Sequence, residues 1–250
     1  MKFNISDMGG FDQALAYSKK YDLGFEIQHF ETGEMLDKQN LPDEINMIKK
    51  KLKGFSDISL HGPFYDLIPA SRDNKIRTVT LERFNQIYDV AKELDAKHIV
   101  LHSGYAPKTC PPDKWIKNSI SFWNEFLHGK DDGIKVHVEN VYENNFDLLR
   151  ELVKSIDNKL FSICLDIGHV NSYSSIFIKD WLTGLNSCVG YTHIHNNYGD
   201  SDDHLGFYNG TINMKFVLTL LEEHCPDAVN TLETFEVDST IDWLKDNSFL

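Results

Sequence analysis

"RTVTLERFNQIYDVAKELDAKHIVLHSG", residues 77–104, holds a helix and a strand in direct succession. Val79, Phe84, Ile87, Val90, Ala91 and Leu94 recur close to every 3.6 residues, the spacing of one buried helical face. The run "KHIVLHSG" (97–104) then turns β-branched and ends on a histidine. The same alternation extends along the chain in both directions. Further strands are expected at 2–6, 24–30, 57–62, 134–140, 161–168, 190–196 and 230–235. Helical patterns fall at 10–21, 43–53, 113–128, 145–156, 213–224 and 239–247, with a weaker one at 175–187. Eight strand-then-helix units predict an α/β fold, a (β/α)8 TIM barrel spanning residues 1–250 as a single domain. An open doubly wound sheet is the rival. Eight repeats, and no glycine-rich phosphate loop after the first strand, favour the barrel.

With 41% hydrophobic residues in 250, the chain can fill a core without a disulfide or metal staple. Its four cysteines, Cys110, Cys164, Cys188 and Cys225, show no paired spacing, so reduced thiols and a cytoplasmic setting are expected. The opening "MKFNISDMGG" has no apolar signal core, and no run is long enough for a membrane span. A net charge of −13 repels phosphate backbones and disfavours extended nucleic acid as a partner.

Catalytic groups of such barrels sit at the C-terminal ends of the strands, so those positions can be read directly. They are His61 in "SLHGPF", His102 in "VLHSGY", Glu139 in "VHVEN", Asp166 and His169 in "CLDIGH", His193 or His195 in "YTHIHN", and Glu233 in "LETF". The loop after the seventh strand adds Asp202 and His204. Taken singly, each has a bland alternative: a hydrogen-bonded core histidine, a capping Asp166, a solvated turn at 202–204. Jointly they converge on one rim. Glu139, Asp166, Asp202 and Glu233 would repel one another there unless cations compensate. Imidazole and carboxylate donors suit Zn²⁺ or Mn²⁺, and nine ligands are too many for one ion.

The order "HGPF", "HSGY", "EN", "CLDIGH", "HIHN", "DDH", "LET" resembles the xylose-isomerase-like barrel superfamily (AP endonuclease family 2), and within it endonuclease IV. The resemblance implies about three Zn²⁺, alone or mixed with Mn²⁺, held by His61, His102, Glu139, Asp166, His169, His193, Asp202, His204 and Glu233. It also selects His193 over His195. The implied activity is a metal-dependent hydrolase (phosphoesterase) in which Glu139 and Glu233 bridge metals and water is the nucleophile. The same superfamily contains sugar isomerases and epimerases. These use one Mn²⁺, Co²⁺ or Mg²⁺ on Glu139, Asp166, His193 and Glu233, and the two glutamates exchange a proton. A catalytically silent metal or sugar binder is the third reading.

Two departures count against long DNA. The stretch after the second strand, "HFETGEMLDKQNLPDE" (29–44), is acidic where endonuclease IV is basic and aromatic, and Phe64 replaces a stacking tyrosine. A small phosphoester or sugar phosphate is the expected substrate, with an abasic site in DNA kept open. Phe64, Tyr65, Tyr105, Asn140 and His195 are expected at the substrate pocket, His195 and Asn196 packing beside the ligands. Glu26 is either the partner of a ligand histidine or part of a surface ion pair. His98, His128, His137 and His224 are read as structural.

Overall fold

A computed structural model describes residues 1–250, and in it eight parallel strands close into a barrel in the order β1 to β8. They are β1 (Lys2–Ser6), β2 (Gly24–Ile27), β3 (Ile58–His61), β4 (His98–His102), β5 (Lys135–Glu139), β6 (Phe161–Asp166), β7 (Val189–Ile194) and β8 (Val229–Leu232). Closure is sealed by β1 pairing with β8, from Lys2 opposite Val229 to Ile5 opposite Leu232.

The helices are α1 (Phe11–Tyr21), α2 (Gly33–Leu36), α3 (Leu41–Lys51), α4 (Asn74–Glu93), α5 (Pro112–Leu127), α6 (Asp147–Ile156), α7 (Ile167–Tyr173), α8 (Ile178–Leu185), α9 (Met214–His224) and α10 (Val237–Asp246). No helix is long and apolar enough to cross a membrane. Every expected strand and helix is present. The strands expected at 24–30 and 230–235 each stop three residues early, at Ile27 and Leu232, and the strand expected at 161–168 stops at Asp166. The carboxylate of Asp166 accepts the His169 backbone N–H at 2.6 Å and so starts α7, a helix the strand-like hydrophobicity concealed.

The apolar core lies between sheet and helices. In α4, Phe84, Ile87, Val90 and Ala91 are buried, and Phe84 packs against Phe122, Trp123 and Phe126 of α5. The barrel lumen, by contrast, is polar. Tyr191 Oη donates to Glu26 Oε2 at 2.7 Å and accepts from Thr231 Oγ1 at 2.6 Å, and Ser59 Oγ lies 2.6 Å away. Lower down, His98 Nδ1 meets His137 Nε2 at 2.9 Å, and His137 Nδ1 meets Ser162 Oγ at 2.7 Å, consistent with their structural reading. These groups are buried, so they must satisfy one another. The polar column leads to the C-terminal mouth.

Candidate active site at the barrel mouth

Strand alternation puts His61, His102, Glu139, Asp166, His193 and Glu233 at the C-terminal ends of β3 to β8 or just beyond. The first turn of α7 adds His169. The loop after β7 is folded back by a two-residue bridge, Asn196 to Leu205, with backbone bonds of 2.9 and 2.8 Å. The Asn196 side chain pins its far end by accepting from Ile212 N at 3.0 Å. This return brings Asp202 and His204 over the mouth. His204 has a positive φ of 48°, uncommon for a residue other than glycine, and its ring Nδ1 is held by the Glu233 carbonyl at 3.0 Å.

Glu139 lies at the centre. Its Oε2 stands 3.3 Å from His61 Nε2 and 3.5 Å from His102 Nε2, and its Oε1 stands 3.1 Å from His193 Nδ1. His193 Nδ1 is also 3.4 Å from Glu233 Oε2 and 3.9 Å from Asp166 Oδ2. Asp202 Oδ2 lies 3.1 Å from His169 Nε2 and 3.2 Å from His204 Nε2. All nine residues therefore converge. Donor atoms of Glu139, Asp166, His193 and Glu233 fall within 4.8 Å of one another, as do those of His61, Glu139 and His193, and of His195, His204 and Glu233.

Two features test whether a cation fits. Most of these N–O separations exceed the roughly 2.7–2.9 Å of a charge-assisted hydrogen bond. They approach the roughly 3.3–3.5 Å edge expected between donors sharing a tetrahedral ion at about 2.0–2.1 Å. Asp166 Oδ2, His195 Nε2 and Asp202 Oδ1 are also buried with no hydrogen-bond partner. Both features fit divalent cations.

The electrostatics point the same way. Burial would raise Glu139, but His193, His102 and His61 hold its carboxyl well below the ordinary range. Glu233 is pushed up by burial and by the neighbouring charges of Glu139 and Asp166, against the pull of His193 and His204. Burial and the surrounding imidazoles press His102 down to about 3, whereas His204, despite burial, is raised to about 9 by Asp202 and Glu233. Without metal, protons on His169, His193 and His204 supply the positive charge that the carboxylates require.

The mouth is a cavity of about 460 Å³ lined by Phe64, Tyr65, Tyr105, Tyr142 and Tyr173 above the carboxylates and imidazoles, with no Lys or Arg in its wall. Phe64 stacks on His102 with 4.3 Å between ring centroids, and Tyr65 stacks on Phe64 at 4.2 Å, leading from the open rim to the site. Phe64, Tyr65 and Tyr105, expected at a substrate pocket, line this cavity. Asn140 and His195 do not line the cavity. The Asn140 amide is spent on Asp166, donating to its carbonyl at 3.1 Å and accepting its N–H at 2.8 Å. His195 is wholly buried beneath His204, ring on ring at 3.9 Å, and faces Asp166 and Asp202 at 3.3 and 3.4 Å.

The open alternative for Glu26 resolves inward. It is fully buried, with Oε1 3.1 Å from His193 Nε2, whereas His29 hydrogen-bonds Glu44 at 2.8 Å. Gln28, unremarked in the sequence, donates to Glu233 Oε1 and, at 3.4 Å, to Glu26 Oε1. The period-two spacing of Glu26 and Gln28 in "GFEIQHF" was the available signal. Glu143 was also missed. It is buried, accepts from Ser103 Oγ and from Val141 N at 2.7 Å, and is raised by burial to about 7.

Fold and site together define a TIM barrel with a potential metal-binding cluster at its catalytic end. The chain belongs to the xylose isomerase-like TIM barrel family, whose model matches residues 21–247. It is 32% identical over 198 residues to the uncharacterized protein MJ1311 of Methanocaldococcus jannaschii, covering 74% of this chain and 67% of that protein. Among solved structures it is similar to a D-tagatose 3-epimerase-like protein (27% identity, TM-score 0.83, 100% of this chain and 97% of that one). It also resembles the TTHB071 protein of Thermus thermophilus soaked with ZnCl2 (21% identity, TM-score 0.80, 100% and 98% coverage), a likeness of fold.

Proposed function

We propose that this chain is a divalent-metal-dependent sugar isomerase or epimerase acting on a small, uncharged polyhydroxylated substrate. The observation that carries the reading is the buried quartet Glu139, Asp166, His193 and Glu233, which offers four ligands from adjacent strands and includes two glutamates whose carboxyls are shifted in opposite directions. An ion held there would polarise the neighbouring carbonyl and hydroxyl oxygens of a ketose. Glu139, whose carboxyl is held ionised, is suited to take the proton from the carbon beside the carbonyl. Glu233, whose carboxyl is pushed up, is suited to return a proton to the other face and invert that carbon. The two come from β5 and β8, with two strands between them around the barrel.

The cavity is the size of a small-molecule site. Its aromatic wall suits the C–H face of a sugar ring, and it offers no Lys or Arg to a phosphate. The structural likeness to an epimerase-like protein supports the same direction. We place the reaction in this chemistry rather than in long nucleic acid, whose backbone the acidic mouth repels.

Phosphoester hydrolysis, the leading expectation from sequence, stands as a second reading on one specific observation. His61 and His102 on Glu139, and His169 and His204 on Asp202, form two further ligand clusters that a mononuclear epimerase does not need. In that case metal ions would be the only cations available to the phosphoryl group. One comparison separates the two. Metal-loaded protein incubated with ketoses in D2O should place deuterium on the inverted carbon. Release of p-nitrophenol from a model phosphodiester without deuterium incorporation would reverse the order.

A further inference from the structure

Strands β3 to β8 each carry a candidate metal ligand at or within one residue of their C-terminal end, whereas β2 carries none, yet Glu26 within it and Gln28 just past it touch the site. Four of the candidate ligand histidines are hydrogen-bonded on their outer face, and they differ in what holds them. His61, His169 and His204 turn Nδ1 to backbone carbonyls, Gly62 at 2.9 Å, Asn140 at 2.7 Å and Glu233 at 3.0 Å, and present Nε2 inward. His193 is reversed. It presents Nδ1 to the quartet and backs Nε2 onto a carboxylate, with Glu26 Oε1 at 3.1 Å and Oε2 at 3.2 Å. Glu26 is itself fixed by Tyr191 Oη at 2.7 Å and by Gln28, whose Nε2 also holds Glu233 and whose backbone N–H is anchored by Asp7 at 2.8 Å.

We infer that β2 is a positioning strand: Glu26 fixes the tautomer and strengthens the donor atom of His193, and Gln28 fixes which oxygen of Glu233 faces the quartet. With its proton held on Nε2 by Glu26, the ring keeps the Nδ1 lone pair pointed at Glu139, Asp166 and Glu233. A carboxylate behind an imidazole makes it a more basic ligand than a carbonyl does. The quartet is therefore the tightest of the ligand clusters, and the carbonyl-backed histidines form weaker ones. Glu26 does not line the cavity, and Gln28, which reaches its wall, is spent on Glu233, so both are positioning residues. The inference rests on the metal-dependent reading above.

The test uses the full chain stripped of metal and titrated with Zn²⁺ against a chromogenic chelator, beside thermal melting of the stripped protein. Glu26→Gln keeps a hydrogen-bond acceptor but removes the charge. Its tightest Zn²⁺ site should weaken about 10- to 100-fold, in stripped protein that still melts cooperatively. Tyr191→Phe, which loosens Glu26 without removing it, should give a smaller loss and serves if Glu26→Gln does not fold. Nitrogen-15 spectra of histidine-labelled, Zn²⁺-loaded protein should show one metal-bound ring protonated on Nε2 among rings protonated on Nδ1. Unchanged Zn²⁺ affinity in both folded variants, or a spectrum with every metal-bound ring protonated on Nδ1, overturns the inference. Wild-type protein that binds no Zn²⁺ at all overturns the metal reading first and the inference with it.

Discussion

Glu139 and His193 meet through Oε1 and Nδ1 at 3.1 Å, and the other oxygen of Glu139 lies 3.3 Å from His61. One carboxylate thus serves two ligand clusters and is also the candidate base. Glu139→Gln should lower turnover by about 10²- to 10⁴-fold, the usual range for loss of a general base. It should also reduce bound metal, measured by elemental analysis. Loss of turnover with full metal retention would confine Glu139 to proton transfer.

The outer clusters distinguish the two chemistries. In the epimerase reading, the paired changes His61→Ala and Asp202→Asn leave the quartet intact. Deuterium exchange into a ketose should then persist within about tenfold, since the quartet retains its polarising role. Phosphodiester cleavage, if the wild-type protein has it, should vanish. Equal collapse of both activities would mean that the outer clusters belong to one indivisible centre.

Protons and metal compete for the same atoms. In the metal-free protein burial opposes protonation of His204, but Asp202 and Glu233 raise it from 6.5 to about 9. A raised histidine contributes stability that is fully present below its unfolded value, about 6.5, and is lost as pH rises through about 9. Metal must displace that proton. Apparent affinity should therefore climb from pH 6.5 to about 9 and level off above, with proton release visible by calorimetry in buffers of different ionisation heat. A flat affinity over that range would contradict the arrangement.

Glu143 gives a stability prediction away from the ligands. Burial raises it from 4.5 to about 7, so its ionisation costs stability as pH rises through that interval. Glu143→Gln can still accept from Val141 N and can donate to Ser103 Oγ. Melting curves should show the variant gaining on wild type from pH 4.5 to pH 8. A constant difference would mean that the group does not titrate there.

Gly168 is required by a close approach. A Cβ at this position would run into the His195 ring, which lies under His204. Gly168→Ala should destabilise by about 1–3 kcal/mol through overpacking, read by denaturant unfolding, and weaken metal binding by displacing His195.

Much of this was legible in the sequence because strand ends are local signals. "VLHSG", "VHVEN" and "LETF" each announce both a strand and the residue type that closes it. Helix α7 was hidden because "CLDIGH" is apolar enough to continue β6, and only the bond from Asp166 to His169 N–H decides otherwise. Asn140 read as a pocket residue because its neighbour faces the pocket. Its amide instead spans to β6, a pairing 26 residues away in the chain. Gln28 carried no chemical flag at all, since an amide draws attention only once the carboxylate it holds is located.

The central claim is that divalent cations hold the converging carboxylates and imidazoles together. It is tested most directly by elemental analysis of protein purified without chelator or affinity metal, followed by melting before and after stripping. At least one divalent ion per chain is expected, with a clear fall in melting temperature on its removal, restored by Mn²⁺ or Zn²⁺. Metal-free protein that melts at the same temperature with and without added ions would contradict it.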